Sequence, residues 1–112
     1  MELEKSVVKV GFVNGCFDIL HIGHKRLLEY ARSKCDYLIV GIDADNRVKR
    51  LKGENRPFNS EDVRSEMLMS LTAVSEVKIF DTEESLKTLI KYTKPDIMVV
   101  GSDYRNKEVV GA

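Results

Sequence analysis

Gly15-Cys16-Phe17-Asp18-Ile19-Leu20-His21-Ile22-Gly23-His24 is the stretch on which the reading of this chain turns. Ahead of it runs Val7-Val8-Lys9-Val10-Gly11-Phe12-Val13-Asn14, short, β-branched and bounded by glycine, which predicts a buried strand. Behind it, Leu27, Leu28, Ala31 and Cys35 fall three and four residues apart, with Lys25, Arg26, Glu29, Arg32 and Lys34 on the other side of the pattern. That is a helix with one buried face. The stretch is therefore a strand-to-helix turn, and a parallel α/β sheet binds ligands at such turns, at the carboxyl ends of its strands. Gly15 lets the backbone approach a ligand closely, and the opening helix offers unpaired N–H groups to an anion. His21 and His24, three residues apart, share a face of the first turn, while Gly23 leaves flat space for a ribose or base. Together they predict a phosphate cradle with room for a nucleoside.

Asp36 to Ile42 reads as the second strand, parallel to the first because a helix intervenes. Asp43 to Asn59 is polar, holds Gly53 and Pro57, and carries Arg47, Lys49, Arg50, Lys52 and Arg56. It fits neither periodicity and is expected to be a long basic loop, functional or mobile. Asn59 or Ser60 caps the next helix, with Glu61 and Asp62 in its first turn. The buried stripe of that helix is expected at Val63, Met67, Leu71 and Val74, with Leu68 beside it. Val77 to Phe80 alternates as a third strand, and Thr82 caps a helix with Leu86, Leu89 and Ile90 inside, stopped by Lys94-Pro95. Ile97 to Val100 is the fourth strand, ending at Gly101-Ser102-Asp103. The alternation implies right-handed crossovers and an α/β fold, a Rossmann-like doubly wound parallel sheet in a single domain over residues 1–112. The ends of strands one and four then flank the switch point and bring the first turn and Asp103 to one crevice.

At 112 residues and 43% hydrophobic, the chain is one domain with a real core. Eighteen basic and eighteen acidic residues balance, which argues against nucleic-acid or membrane partners and leaves any phosphate affinity to local clustering. Cys16 and Cys35 make no disulfide framework. No apolar run nears a membrane span, and the charged start Glu2-Leu3-Glu4-Lys5 is no signal peptide, so a cytoplasmic location is expected.

Asn14-Gly15-Cys16-Phe17-Asp18 followed by His21-Ile22-Gly23-His24 resembles the signature of the nucleotidylyltransferase superfamily, G-x-F-D-x-x-H-x-G-H. The resemblance continues through Val48 to Pro57, Glu61-Asp62-Val63-Arg64, Val100 to Tyr104 and Glu108 to Gly111. These later blocks are most similar to the adenylyltransferase domain of ADP-heptose synthase, with glycerol-3-phosphate cytidylyltransferase next. Family members continue into a segment with a Ser-Thr-Thr motif that contacts the nucleotide. The sequence ends at Ala112 without it, so a truncated chain or a shortened relative is expected.

The resemblance implies transfer of a nucleoside monophosphate from a nucleoside triphosphate to a phosphorylated small-molecule acceptor, with release of pyrophosphate. ATP with a sugar phosphate such as heptose 1-phosphate is favoured, and CTP with glycerol 3-phosphate is the alternative. A non-catalytic nucleotide-binding module is the reading from another class. The implied catalytic residues are His21 and His24 on the nucleotide phosphates, Lys49 and Lys52 closing over pyrophosphate from the loop, and Arg64 as a phosphate-contacting arginine. Asn14, Gly15, Cys16, Phe17, Gly23 and Asp103 are the expected nucleotide contacts. Magnesium is expected to bridge phosphate oxygens, with Asp18 either ordering the turn or touching the metal. Ligation of a metal by His21, His24 and Asp18 is a rival reading that a glycine-containing phosphate turn fits poorly. Cys16 is the one side chain placed as a nucleophile, and direct in-line displacement is preferred to a covalent route. A homodimer is expected by the same resemblance.

Overall fold

The computed structural model describes residues 8–100 and 108–110. Four parallel strands, β1 (Val10–Gly15), β2 (Tyr37–Asp43), β3 (Glu76–Phe80) and β4 (Ile97–Val100), are joined at one edge by an antiparallel strand, β5 (Glu108–Val110). The order is β3-β2-β1-β4-β5. The chain thus walks outward from β1 to β3, then returns to lay β4 on β1's other side, and the expected switch point falls between β1 and β4. β5 was not anticipated from the sequence.

The connections hold α1 (Ile22–Ser33), α2 (Asp45–Lys52), α3 (Glu61–Met69) and α4 (Glu83–Thr93). Leu38, Val40 and Ile42 alternate along β2 onto one face. There they join Val13, Val99, Leu28 and Ala31 of α1 and Leu68 of α3 in a single buried cluster. The Ser60 hydroxyl accepts the Val63 N–H and the Thr82 hydroxyl the Ser85 N–H, so both helix starts carry the caps their sequences offer.

Two expectations are corrected. The segment from Asp43 to Asn59 is not all loop: residues 45–52 form α2, anchored by Val48, which is fully buried. Its eight residues include only one other apolar side chain, the exposed Leu51, too thin a pattern to reveal a helix. The stripe of α3 is also rotated. Val63 and Met67 are about half exposed, at 45% and 52%, while Arg64 and Leu68 face inward. The rotation follows from Arg64, whose guanidinium is drawn under the sheet's carboxyl edge by the hydrogen bonds described below.

Candidate active site

β1 stops at Gly15, and the chain turns through Phe17 in the left-handed region, at φ 51°. A bulky L-residue holds that conformation only when its surroundings enforce it. Here the ring of Phe17 is buried and meets the His24 imidazole edge-on, with centroids 5.2 Å apart. The strained turn therefore sets the floor on which His24 rests.

His21 is the N-cap of α1 and His24 its third residue, and the two close a capping box made of imidazoles. His21 Nδ1 accepts the Gly23 N–H at 3.0 Å, and His24 Nδ1 accepts the His21 N–H at 3.3 Å. An accepting ring nitrogen carries no proton, so each neutral ring holds its hydrogen on Nε2. The rings stack 4.0 Å apart. Burial, and next the neighbouring His21, push the pKa of His24 down. The pair is thus arranged as two neutral Nε2–H donors at a helix N-terminus, where anions bind.

Asp18 closes the other wall. Its carboxylate accepts the N–H groups of Phe58 and Asn59, each at 2.8 Å, and Arg56 Nε at 3.3 Å. The connector from α2 to α3 is thereby tied to the turn after β1. Burial raises the Asp18 pKa, but the two backbone donors and Arg56 outweigh it and hold the carboxyl below its ordinary value. Arg56, in turn, lies over the exposed ring of Phe58. A cleft of about 230 Å³ results, lined by the residues from Cys16 to Ile19, by both histidines, and by Lys52 and Arg56.

Of the residues singled out in the sequence, Cys16, Phe17, Asp18, His21, His24 and Lys52 meet in this cleft. Asn14 and Gly15 sit in β1 behind it. Lys49 is exposed on α2, one turn before Lys52, and both stand on a helix, not on the expected flexible loop. Asp103 lies outside the described residues. Arg56, read in the sequence only as one of the basic residues of the long loop, is the cleft's second cation. Its signal is tertiary: the partner Asp18 is 38 residues away.

Arg64 is placed differently from the expectation that it opens onto the phosphate site. It is 1% exposed, and Nε donates to Asn59 O, Nη1 to Cys16 O and Asp43 O, and Nη2 to the Asp45 carboxylate. A guanidinium has five N–H donors, and this one has four engaged inside the protein. Arg64 joins the ends of β1 and β2 to the starts of α2 and α3.

At Gly23 an added Cβ would lie 2.8 Å from His21 Cε1, so the direction a side chain would take from the helix is filled by the capping imidazole.

The donors do not suit a protein-held metal. No group of three His, Cys, Asp or Glu side chains that could hold an ion occurs among the described residues. Asp18 is the carboxylate lining the cleft, and its oxygens already accept three N–H bonds. Neither the role of Asp18 as a metal ligand nor the rival His21–His24–Asp18 site fits this geometry. Cys16 is buried, and that burial pushes its thiol up despite Arg64 and Lys52, which makes it a poor nucleophile.

A strand–turn–helix cleft of this kind, at the carboxyl end of a doubly wound sheet, lies where α/β domains of this class bind their ligands. The chain belongs to the cytidylyltransferase-like family, whose model matches residues 12–109, and is a nucleotidyltransferase domain of that kind. It is 52% identical over 105 residues to the bifunctional protein HldE of Hyphomonas neptunium, covering 94% of this chain and 21% of that protein. The bifunctional protein HldE of Nitratiruptor is 50% identical over 111 residues, 99% of this chain and 24% of the relative. The chain thus spans between a fifth and a quarter of these relatives' length. A lipopolysaccharide core biosynthesis protein from Thermoplasma volcanium has a similar structure, with a TM-score of 0.76 and 25% identity, over 90% of this chain and 80% of that one.

Proposed function

We propose that this domain transfers a nucleoside monophosphate from a nucleoside triphosphate, ATP in preference, to a sugar phosphate such as heptose 1-phosphate and releases pyrophosphate. The observation that carries the reading is the convergence, in one cleft, of two locked Nε2–H imidazoles at the start of α1 with the cations of Lys52 and Arg56.

The acceptor's phosphate oxygen is already anionic near neutral pH, so no general base is needed. The barrier is the approach of two anions, and the protein lowers it by positioning them and supplying preorganised donors. His21 and His24 donate to the nucleotide phosphates. The turn from Gly15 to Phe17 holds the α-phosphate region. Lys52, Arg56 and, one turn away, Lys49 balance charge on the leaving pyrophosphate, and displacement is direct and in line. Asp103 serves the nucleoside or the acceptor. Magnesium bound with the triphosphate would supply positive charge to the reacting phosphates, and no residue of this cleft is assigned to hold it.

The preference for ATP and a sugar rests on the likeness of the later sequence blocks to the ADP-heptose synthase adenylyltransferase domain and on the HldE relatives. In the same reading the domain works in the cytoplasm as a homodimer, which mass photometry checks. Among the described residues no helix is long and apolar enough to cross a membrane.

The test is thermal stabilisation by each of four nucleoside triphosphates, then pyrophosphate release with sugar phosphates and with glycerol 3-phosphate. A ligand at about a hundred times its Kd adds about 2.7 kcal/mol. ATP should stabilise most. A preference for CTP with turnover on glycerol 3-phosphate selects the alternative, and binding with no release on any acceptor selects the non-catalytic module.

A further inference from the structure

The His21 imidazole does not extend away from α1 but folds back over the helix start, so that Nδ1 meets the Gly23 N–H at 3.0 Å. A Cβ on residue 23 would lie 2.8 Å from Cε1 and 3.0 Å from Nδ1 of that ring. A side chain at 23 and the ring in its present place exclude each other. The backbone does not itself require glycine here, because Gly53 is the described glycine with positive φ. Glycine within a helix is unfavourable compared with every residue except proline. The second position of α1 therefore holds a poor helix former for the sake of the ring beside it.

We infer that Gly23 is a positioning residue for the phosphoryl chemistry proposed above: its bare face lets His21 cap α1 through Nδ1 and so fixes the proton on Nε2, the nitrogen left for a ligand phosphate. The inference rests on that functional reading. The effect extends to His24, whose Nδ1 takes the His21 N–H and whose ring stacks on His21 at 4.0 Å. Moving one ring unsettles both donors. Gly23 acts here through the imidazoles.

The test is Gly23→Ala in the full chain, read three ways. Alanine suits a helix, so thermal unfolding should stay close to the wild type. Long-range ¹⁵N–¹H spectra of the imidazoles should show both wild-type rings as Nε2–H tautomers and His21 no longer so in the variant. Pyrophosphate release should fall at least tenfold in kcat. In a His21→Asn background, where a compact cap replaces the ring, adding Gly23→Ala should change the remaining turnover less than twofold. Wild-type His21 with its proton on Nδ1, or an unchanged His21 tautomer in Gly23→Ala, overturns the inference, as does full additivity of the two substitutions. Absence of turnover in the wild type would sink the functional reading, while the imidazole spectra would still decide the positioning role.

Discussion

The guanidinium of Arg64 lies 2.7 Å from the Asp45 carboxylate and is wholly closed to solvent, while its other nitrogens go to backbone carbonyls at three places in the chain. Both β1 and β2 end against it, and α2 and α3 begin from it. Replacing Arg64 with Met leaves those carbonyls and Asp45 without their donor. We expect a loss of about 3–5 kcal/mol in chemical denaturation. Arg64→Lys should recover little of it, since one ammonium cannot reach acceptors fixed in a fork. Wild-type stability in Arg64→Met would refute the hub role.

His21→Ala and His24→Ala each remove a preorganised donor, and we expect turnover to fall roughly a hundredfold or more. The helix should survive in both, at a cost of about 1 kcal/mol for the lost cap. A fully active double variant would end the site assignment.

Stability should depend on pH through His24. Burial and His21 hold its folded pKa below the ordinary 6.5. The unfolded chain therefore takes up the proton first as pH falls. The contribution is fully present above about 6.5 and is lost as pH drops through the folded value. Denaturation midpoints at pH 7.5 and 5.5 check the sign, and His24→Gln should flatten the difference. Protonated Nδ1 also ceases to accept the His21 N–H, so turnover should decline on the same acid limb.

Asp18→Asn keeps the shape but gives up one acceptor of the pair that holds Phe58 and Asn59, and the charge that holds Arg56. We expect a loss of about 1–3 kcal/mol in stability. Triphosphate binding should weaken about tenfold by calorimetry, the equivalent of about 1.4 kcal/mol. Unchanged affinity would mean that the connector does not depend on this clamp.

Cys16→Ser should keep most of the wild-type turnover, since displacement is direct and the thiol is buried with a raised pKa. Labelling by iodoacetamide should likewise be slow at pH 7.5. Loss of turnover with intact nucleotide binding would favour a covalent route through Cys16.

The sequence by itself determined what short-range physics writes. The strand–turn–helix at Gly15–His24, the caps at Ser60 and Thr82, and the alternation of elements that places the switch point beside β1 all depend on periodicity and on neighbours three or four residues apart. What needed the tertiary structure involves partners far along the chain. α2 buries one side chain, Val48, and its polar sequence carries no periodic signal of a helix. The phase of α3 is set by Arg64 reaching Cys16, 48 residues away, so Met67 faces out although its pattern says inward. Arg56 enters the cleft because Asp18 holds it there, and Gly23 is bare because an imidazole fills its place. Hydrophobic spacing encodes which face of an element is apolar, but which polar group is buried, and against what, is settled only when distant segments meet.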